Sequence, residues 1–362
     1  MVKEKVSANQ FFMLLYLSLL NTVFMYLSSD GIKIASTDTI LRPVVFILVA
    51  FVVYVPIGLI IKHHNQLSLK RLYIQKTTFL KIIAILYAAI YFISILKSLA
   101  RFDLFVSSEL FPNSDMTIFI VIITLTCAIL SLLGLGALSR AAGIFSALVI
   151  ISTVLVMVSL RSEINFMNFT PMFENGLIDF SKEGLLFAAQ ATEIGTIIMF
   201  LPEIEGNVKR AYSRWVFFSG ISVALIFFFV VGSLGAFADS QLFPTYTAVT
   251  LAAFGLLERI DALETGVWIL CVTEKVAFYF LVVSKAVNYT FRKLSRKVIA
   301  IGAGALVSVI ISFVSYNIKR FSFLSSDILS VTLFLLSTVI LPITIYVYLR
   351  RVKPCEKTEE NI

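Results

Sequence analysis

The residues of this chain that could do chemistry lie where water is scarce. Gln190, Glu193, Gly195 and Thr196 fall inside EGLLFAAQATEIGTIIMFLP, residues 183–202, an otherwise apolar run long enough to cross a bilayer. A carboxylate at such depth is costly, so Glu193 must face protein or a water-filled cavity, as a ligand contact or a proton site does. Gly195 is the cheapest place for the helix to loosen and offer backbone groups to a ligand. A second run, WILCVTEKVAFYF, carries Thr273, Glu274 and Lys275 in mid-span. Adjacent opposite charges project from different helix faces, so at least one needs a partner elsewhere. Lys275 with Glu193 is one candidate pair among several, either tying the bundle together or forming part of a site. Asn21 and Thr22 centre a third run, where they bond a neighbouring helix or contact a ligand. Tyr87 and Tyr91, four apart, share a face of a fourth, as a wall of the bundle or of a site. Lys97 is near enough to the end of that run to snorkel.

Other chemistry is poorly supplied. The two histidines, His63 and His64, are neighbours in a basic loop, which is a weak basis for catalysis or metal binding. Cys127, Cys271 and Cys355 are scattered over two apolar runs and the tail, so neither a disulfide framework nor a metal cluster is expected. No nucleophile elbow or ligand cluster is visible, and the expectation is a protein without metal or cofactor that is not an enzyme.

The elements that must position these residues are membrane helices. Of 362 residues, 59% are hydrophobic and 14% charged, against about 25% charged in soluble domains. Runs near bilayer length occur at 10–28, 41–61, 79–100, 116–138, 141–160, 183–202, 214–238, 265–291, 298–316 and 326–349, which predicts an all-α polytopic membrane protein with ten transmembrane helices. Between them lie a tight turn within GLGALSRAAG, an external loop at 161–182 able to fold over the mouth, and an apolar stretch at 245–258 too short to span, read as an external re-entrant or interfacial helix. No cleavable signal pattern follows Met1, so the first run is expected to stay. Basic clusters such as Lys70 with Arg71, Lys209 with Arg210, Arg292 with Lys293, and Arg350 with Arg351 all fall on one side, which places both termini in the cytoplasm. The net charge of +8 is therefore sorted by membrane side, and nucleic acid is not an expected partner.

Several stretches resemble the GerAB-type spore permeases, the B subunits of spore nutrient-germinant receptors within the amino acid/polyamine/organocation transporter superfamily. These are NFTPMFENGL with its N-x-x-P segment, FPTYTAVTLAAFGLLERIDALETGVWIL followed by Lys275, GLGALSRAAGI, and LKIIAILYAAIYF. The resemblance implies a LeuT-like 5+5 inverted repeat, with the first and sixth spans broken at mid-membrane around the ligand. The first span departs from that pattern, since NTVFMYL has no glycine.

The function so implied is the membrane B subunit of a germinant receptor in the spore inner membrane or cell membrane. It would bind a small nutrient, an amino acid in the first instance, and act with an A subunit and a lipoprotein C subunit. Candidate ligand contacts are Asn21, Thr22, Tyr91, Gln190, Glu193, Gly195, Thr196 and Thr273, with Lys275 as a buried charge partner. The alternative is a proton-coupled amino acid transporter of the same superfamily, with Glu193 or Glu274 carrying the proton.

Overall fold

Ser7, Thr77, Asn207 and Ser326 stand in extended backbone, and each side chain accepts a hydrogen bond from the amide three residues ahead. Four helices thus begin where a side chain satisfies a donor that the first turn leaves without a partner. The computed structural model describes residues 5–25, 37–63, 77–112, 117–173, 176–252, 260–291, 293–315 and 322–351. The helices are α1 (Ala8–Phe24), α2 (Arg42–His63), α3 (Thr78–Phe105), α4 (Thr117–Leu130), α5 (Leu135–Leu160), α6 (Gly176–Ala188), α7 (Thr196–Phe200), α8 (Val208–Leu234), α9 (Pro244–Thr250), α10 (Ile260–Thr290), α11 (Arg296–Ser315), α12 (Asp327–Leu335) and α13 (Leu341–Arg351). A short parallel pairing, β1 (Val6–Ser7) on β2 (Ile204–Glu205), ties the start of α1 to the chain after α7.

Among the described residues, seven helical stretches are long and apolar enough to cross a membrane, and α6 with Thr192–Glu203, bent by 51°, makes an eighth if the bent pair is one span. Two more, Ala8–Phe24 and Thr117–Leu133, are apolar but shorter. Leu48, Val52, Ile118, Ile122, Ile151 and Phe313 are exposed on these helices, as side chains facing lipid must be. The chain is therefore an all-α polytopic membrane protein. Its axis is α10, 78% buried over its apolar window against 28–50% for the other six of these stretches. It packs most extensively on α3 and then on α5, α1, α4 and α11. A second group pairs α2 with α6 and α8.

Several boundaries differ from the sequence expectation, each for a local reason. The turn placed within GLGALSRAAG is made at Ser131–Leu133 and Gly134, whose φ of 87° only glycine adopts easily, and the helix-forming residues after it already belong to α5. Helix α3 continues past Ala100 through Arg101 and Asp103, both buried, and ends in a wide π-type turn at Val106–Leu110. A second such turn, Leu336–Ile340, interrupts the last apolar run. In the loop expected at 161–182, α6 begins already at Gly176. Asn168 of the N-x-x-P segment donates from Nδ2 to the Gly232 carbonyl at 2.8 Å and fills the space where a side chain on Gly235 would stand. Of the stretch expected at 245–258, α9 is the first part, whereas residues 253–259, with Glu258 and Arg259, lie outside the described residues, as do His64 and Cys355.

Candidate functional site

Helix α6 stops at Ala188 because the chain tightens there: the amides of Gln190 and Ala191 bond back only three residues, to Phe187 at 3.1 Å and Ala188 at 3.1 Å. Ala191 leaves helical geometry at φ −84°, ψ 53°, and a tight turn at Thr192–Gly195 leads into α7. The Thr192 carbonyl, at the start of that turn, accepts from the Tyr91 hydroxyl at 2.9 Å. Lys97, six residues further along α3, donates to Gln190 Oε1 at 2.7 Å and to Ser330 Oγ on α12. Lys97 therefore works inside the bundle, a correction to the snorkelling expectation: the break offers a buried acceptor that a lipid-facing ammonium would lack.

The break falls at 189–191, ahead of the position expected at Gly195. Gly195 itself is helical, and its role is close approach. A Cβ there would lie 2.7 Å from both the Cβ and the carbonyl oxygen of Ser337 and 2.8 Å from the Tyr91 hydroxyl. Tyr87 donates to the same Ser337 carbonyl at 3.1 Å, so the stacked pair Tyr87 and Tyr91, 6.2 Å between rings, holds the wide turn of the last span against the broken one.

Glu193 is 0% exposed. Its Oε2 accepts from the Tyr279 hydroxyl at 3.4 Å, and its Oε1 has no hydrogen-bond partner among the described residues. Lys275 does not meet it directly. Its ammonium donates to the Ser18 carbonyl at 3.0 Å and to Thr22 Oγ1 at 2.6 Å, joining α10 to α1, and lies 5.6 Å from the Tyr279 ring that stands toward Glu193. Lys275 and Glu193, one candidate pair among several, form no direct ion pair and instead share Tyr279 as a neighbour.

These groups border a small polar cavity of about 30 Å³, space for water-sized occupants. Asn21, Thr22, Gln190 and Lys275 from the sequence expectation line it, together with Thr192, Tyr279, Lys97 and Arg101. Asn21 Oδ1, an acceptor, and Gln190 Nε2, a donor, are buried there without hydrogen-bond partners among the described residues. Both kinds of unmet demand meet in one cavity, which fits an occupant that can donate and accept.

The other expected residues are placed apart from it. Glu193, Gly195, Thr196 and Tyr91 form the layer beneath, where the Thr196 hydroxyl caps the Glu193 carbonyl at 2.6 Å. Thr273 is not among the residues lining the cavity; its hydroxyl donates to the Ile269 carbonyl of its own helix at 2.8 Å, and it sits two residues from Lys275, on another face of α10. Glu274 is buried, faces the α4 side near Cys127, and its Oε1 has no partner among the described residues. On the far side of α7 a larger apolar cavity of about 230 Å³ is lined by Ile83, Tyr87, Ile198, Met199, Tyr289 and Leu349. At its edge Lys285 bridges to Glu203 at 2.8 Å and lies over the Phe200 ring, 4.1 Å from its centroid.

Tyr279, Thr192, Ser94, Ser98, Arg101 and Ser330 were not singled out by sequence. A signal was present for α3: Tyr87, Tyr91, Ser94, Ser98 and Arg101 recur at intervals of four and three and mark one polar face. Among the described residues no group of three His, Cys, Asp or Glu side chains could hold a metal ion.

A protein-family model described as spore germination protein matches residues 5–321 of the chain. No curated protein matches it.

Proposed function

The chain belongs to the spore germination protein family, and from that premise we propose that it is the membrane B subunit of a nutrient-germinant receptor. Its ligand is a small molecule of amino acid size and polarity, bound at the break of the sixth span between α1, α3 and α10. The observation that carries this reading is the pairing of a broken helix with one cavity in which Asn21 and Gln190 each keep a buried polar atom without a partner. Broken membrane helices offer backbone donors and acceptors at mid-bilayer, and buried polar atoms left unmet favour whatever supplies their bonds. The cavity is smaller than such a ligand, so binding selects a state in which α6 and α1 have moved apart. A ligand that prefers that state shifts the population, which is all that signalling requires. The same proposal includes ten crossings with both termini cytoplasmic, on the apolar runs and the sorting of basic residues, and, on the resemblance, a five-plus-five inverted repeat, residence in the spore inner membrane, and partnership with an A subunit and a lipoprotein C subunit.

The test is germination of spores whose only copy carries Gln190→Ala. The half-maximal concentration of the cognate nutrient is expected to rise roughly ten- to hundredfold, the loss of one or two ligand hydrogen bonds. Unchanged responses to every nutrient, at equal protein level, overturn the reading.

One observation favours transport as a second reading. The apolar cavity beyond α7 lies on the other side of the layer formed by Tyr91, Glu193 and Gly195, where an exit path would run, and the buried Glu193 would carry the proton. Uptake of labelled amino acid into reconstituted vesicles, abolished by Glu193→Gln, supports that reading; ligand binding without uptake supports sensing alone.

A further inference from the structure

Helices α1 and α8 start side by side, tied by the parallel pairing of Val6–Ser7 with Ile204–Glu205, and run in the same direction. Helix α8 opens with the wrong sign of charge. Lys209 and Arg210 stand in its first turn with no acidic residue there, and Arg214 follows one turn on. A helix start carries partial positive charge, so cations at that end are unfavourable unless an anion sits among them. No ion pair joins Lys209, Arg210 or Arg214 to a carboxylate among the described residues. The contacts of Arg214 are neutral oxygens: Nη2 donates to Asn9 Oδ1 at 3.0 Å and Nε to the Arg210 carbonyl at 3.4 Å.

From this basic end a groove of about 400 Å³ runs between the two helices. Its walls are Phe12, Met13, Tyr16, Trp215 and Phe218, and Asn9 with Arg214 closes one end. From Asn9 to Tyr16 the groove follows α1 for about 10 Å at 1.5 Å per residue. Met13 is 37% exposed and Phe218 42%, so the slot opens toward lipid. The indole N–H of Trp215, 4% exposed, has no acceptor among the described residues.

We propose that this groove is a binding site for one anionic phospholipid, its phosphate at Arg214 and the start of α8 and one acyl chain along Phe12, Met13, Tyr16 and Phe218. The slot has the polarity of a phospholipid, cationic at one end and apolar for two helical turns beyond it. A guanidinium with donors to spare is the side chain suited to a phosphate, and an apolar slot at bilayer depth is filled by an acyl chain. A free phosphate would use only the basic end. A partner's membrane helix would use only the apolar walls. The site stands apart from nutrient binding, and its test does not depend on a ligand for the central cavity.

The purified full-length protein is delipidated in detergent and titrated with phosphatidylglycerol or phosphatidylcholine of equal chain length, with retained lipid counted by native mass spectrometry and stability followed by thermal unfolding. The expected result is one tightly retained phosphatidylglycerol and a rise in melting temperature that phosphatidylcholine does not give. Arg214→Gln, which removes the charge, lowers phosphatidylglycerol retention about tenfold, as loss of one charge-assisted bond does. Met13→Trp, which fills the slot from an exposed position, lowers it comparably, whereas Arg140→Gln, at an exposed cation on α5, leaves it unchanged. Soluble glycerophosphate at millimolar concentration fails to displace the lipid. Equal retention of both lipids, retention unaffected by Arg214→Gln and Met13→Trp, displacement by glycerophosphate, or a lipid-free dimer that Arg214→Gln splits each overturns the proposal.

Discussion

A methyl group on Gly195 would meet Ser337 at 2.7 Å and the Tyr91 hydroxyl at 2.8 Å, so the glycine sets how closely two interrupted spans can approach. Gly195→Ala is expected to cost about 1–3 kcal/mol, the range for overpacking a filled interior. Gly143→Ala has nothing within 4 Å of the added carbon and lies within a helix, so it is neutral or stabilising by up to about 1 kcal/mol. Thermal unfolding of the two purified variants checks the contrast, and equal melting temperatures would refute the close-approach role. Lys275 poses a different residue-scale question, because its ammonium is held by a carbonyl and a hydroxyl of α1 with no direct carboxylate. If that strap contributes as a unit, Lys275→Met and Thr22→Val are non-additive, with a coupling of about 0.5–3 kcal/mol in a double-mutant cycle. Additive losses would show that the two residues stabilise the bundle independently.

The sixth span shows how far one element was legible in sequence. Its polar centre could be read, because Gln190 and Glu193 are costly in an apolar run and need a reason to be there. The place where it breaks could not. AAQA at 188–191 is made of good helix formers, and nothing local ends the helix there. The contacts made on this stretch by Tyr91, to the Thr192 carbonyl, and by Lys97, to the Gln190 side chain, come from α3, about a hundred residues earlier in the chain. The first span is the converse case: without a glycine, α1 runs unbroken through Asn21 and Thr22 to Phe24, as its composition allows. If the contacts from α3 define the break, Lys97→Met removes one of them without creating a clash. Amide hydrogen exchange measured by mass spectrometry is then expected to speed up in peptides covering 185–196 while those of α4 stay at the wild-type rate. An unchanged rate at 185–196 would mean that the break is held by backbone geometry alone.

Across the whole molecule, the sorting of charge along the chain makes a statement about orientation that local contacts do not. Lys209 opens α8 and Lys293 precedes α11, and an alternating reading of the apolar runs places both on the side of the termini, with Glu163 after α5 on the other. That assignment depends on counting α1 and Thr117–Leu133 as crossings although each is shorter than the other spans, and on counting α6 with Thr192–Glu203 as one. Omitting any one of the three reverses the side of everything after it, so accessibility reads the crossing number directly. Lys209, Lys293 and Glu163 are all exposed, and Cys127 and Cys271 are buried and should not react with a membrane-impermeant thiol reagent. Single cysteines placed at these positions, with Cys355 replaced by Ser, are expected to divide: Lys209→Cys and Lys293→Cys label only when the cytoplasmic face is opened, and Glu163→Cys labels in intact cells. If Lys209→Cys and Glu163→Cys label from the same face, the bent sixth segment re-enters the membrane without crossing it. The inverted repeat then falls, because its two halves would no longer hold equal numbers of spans.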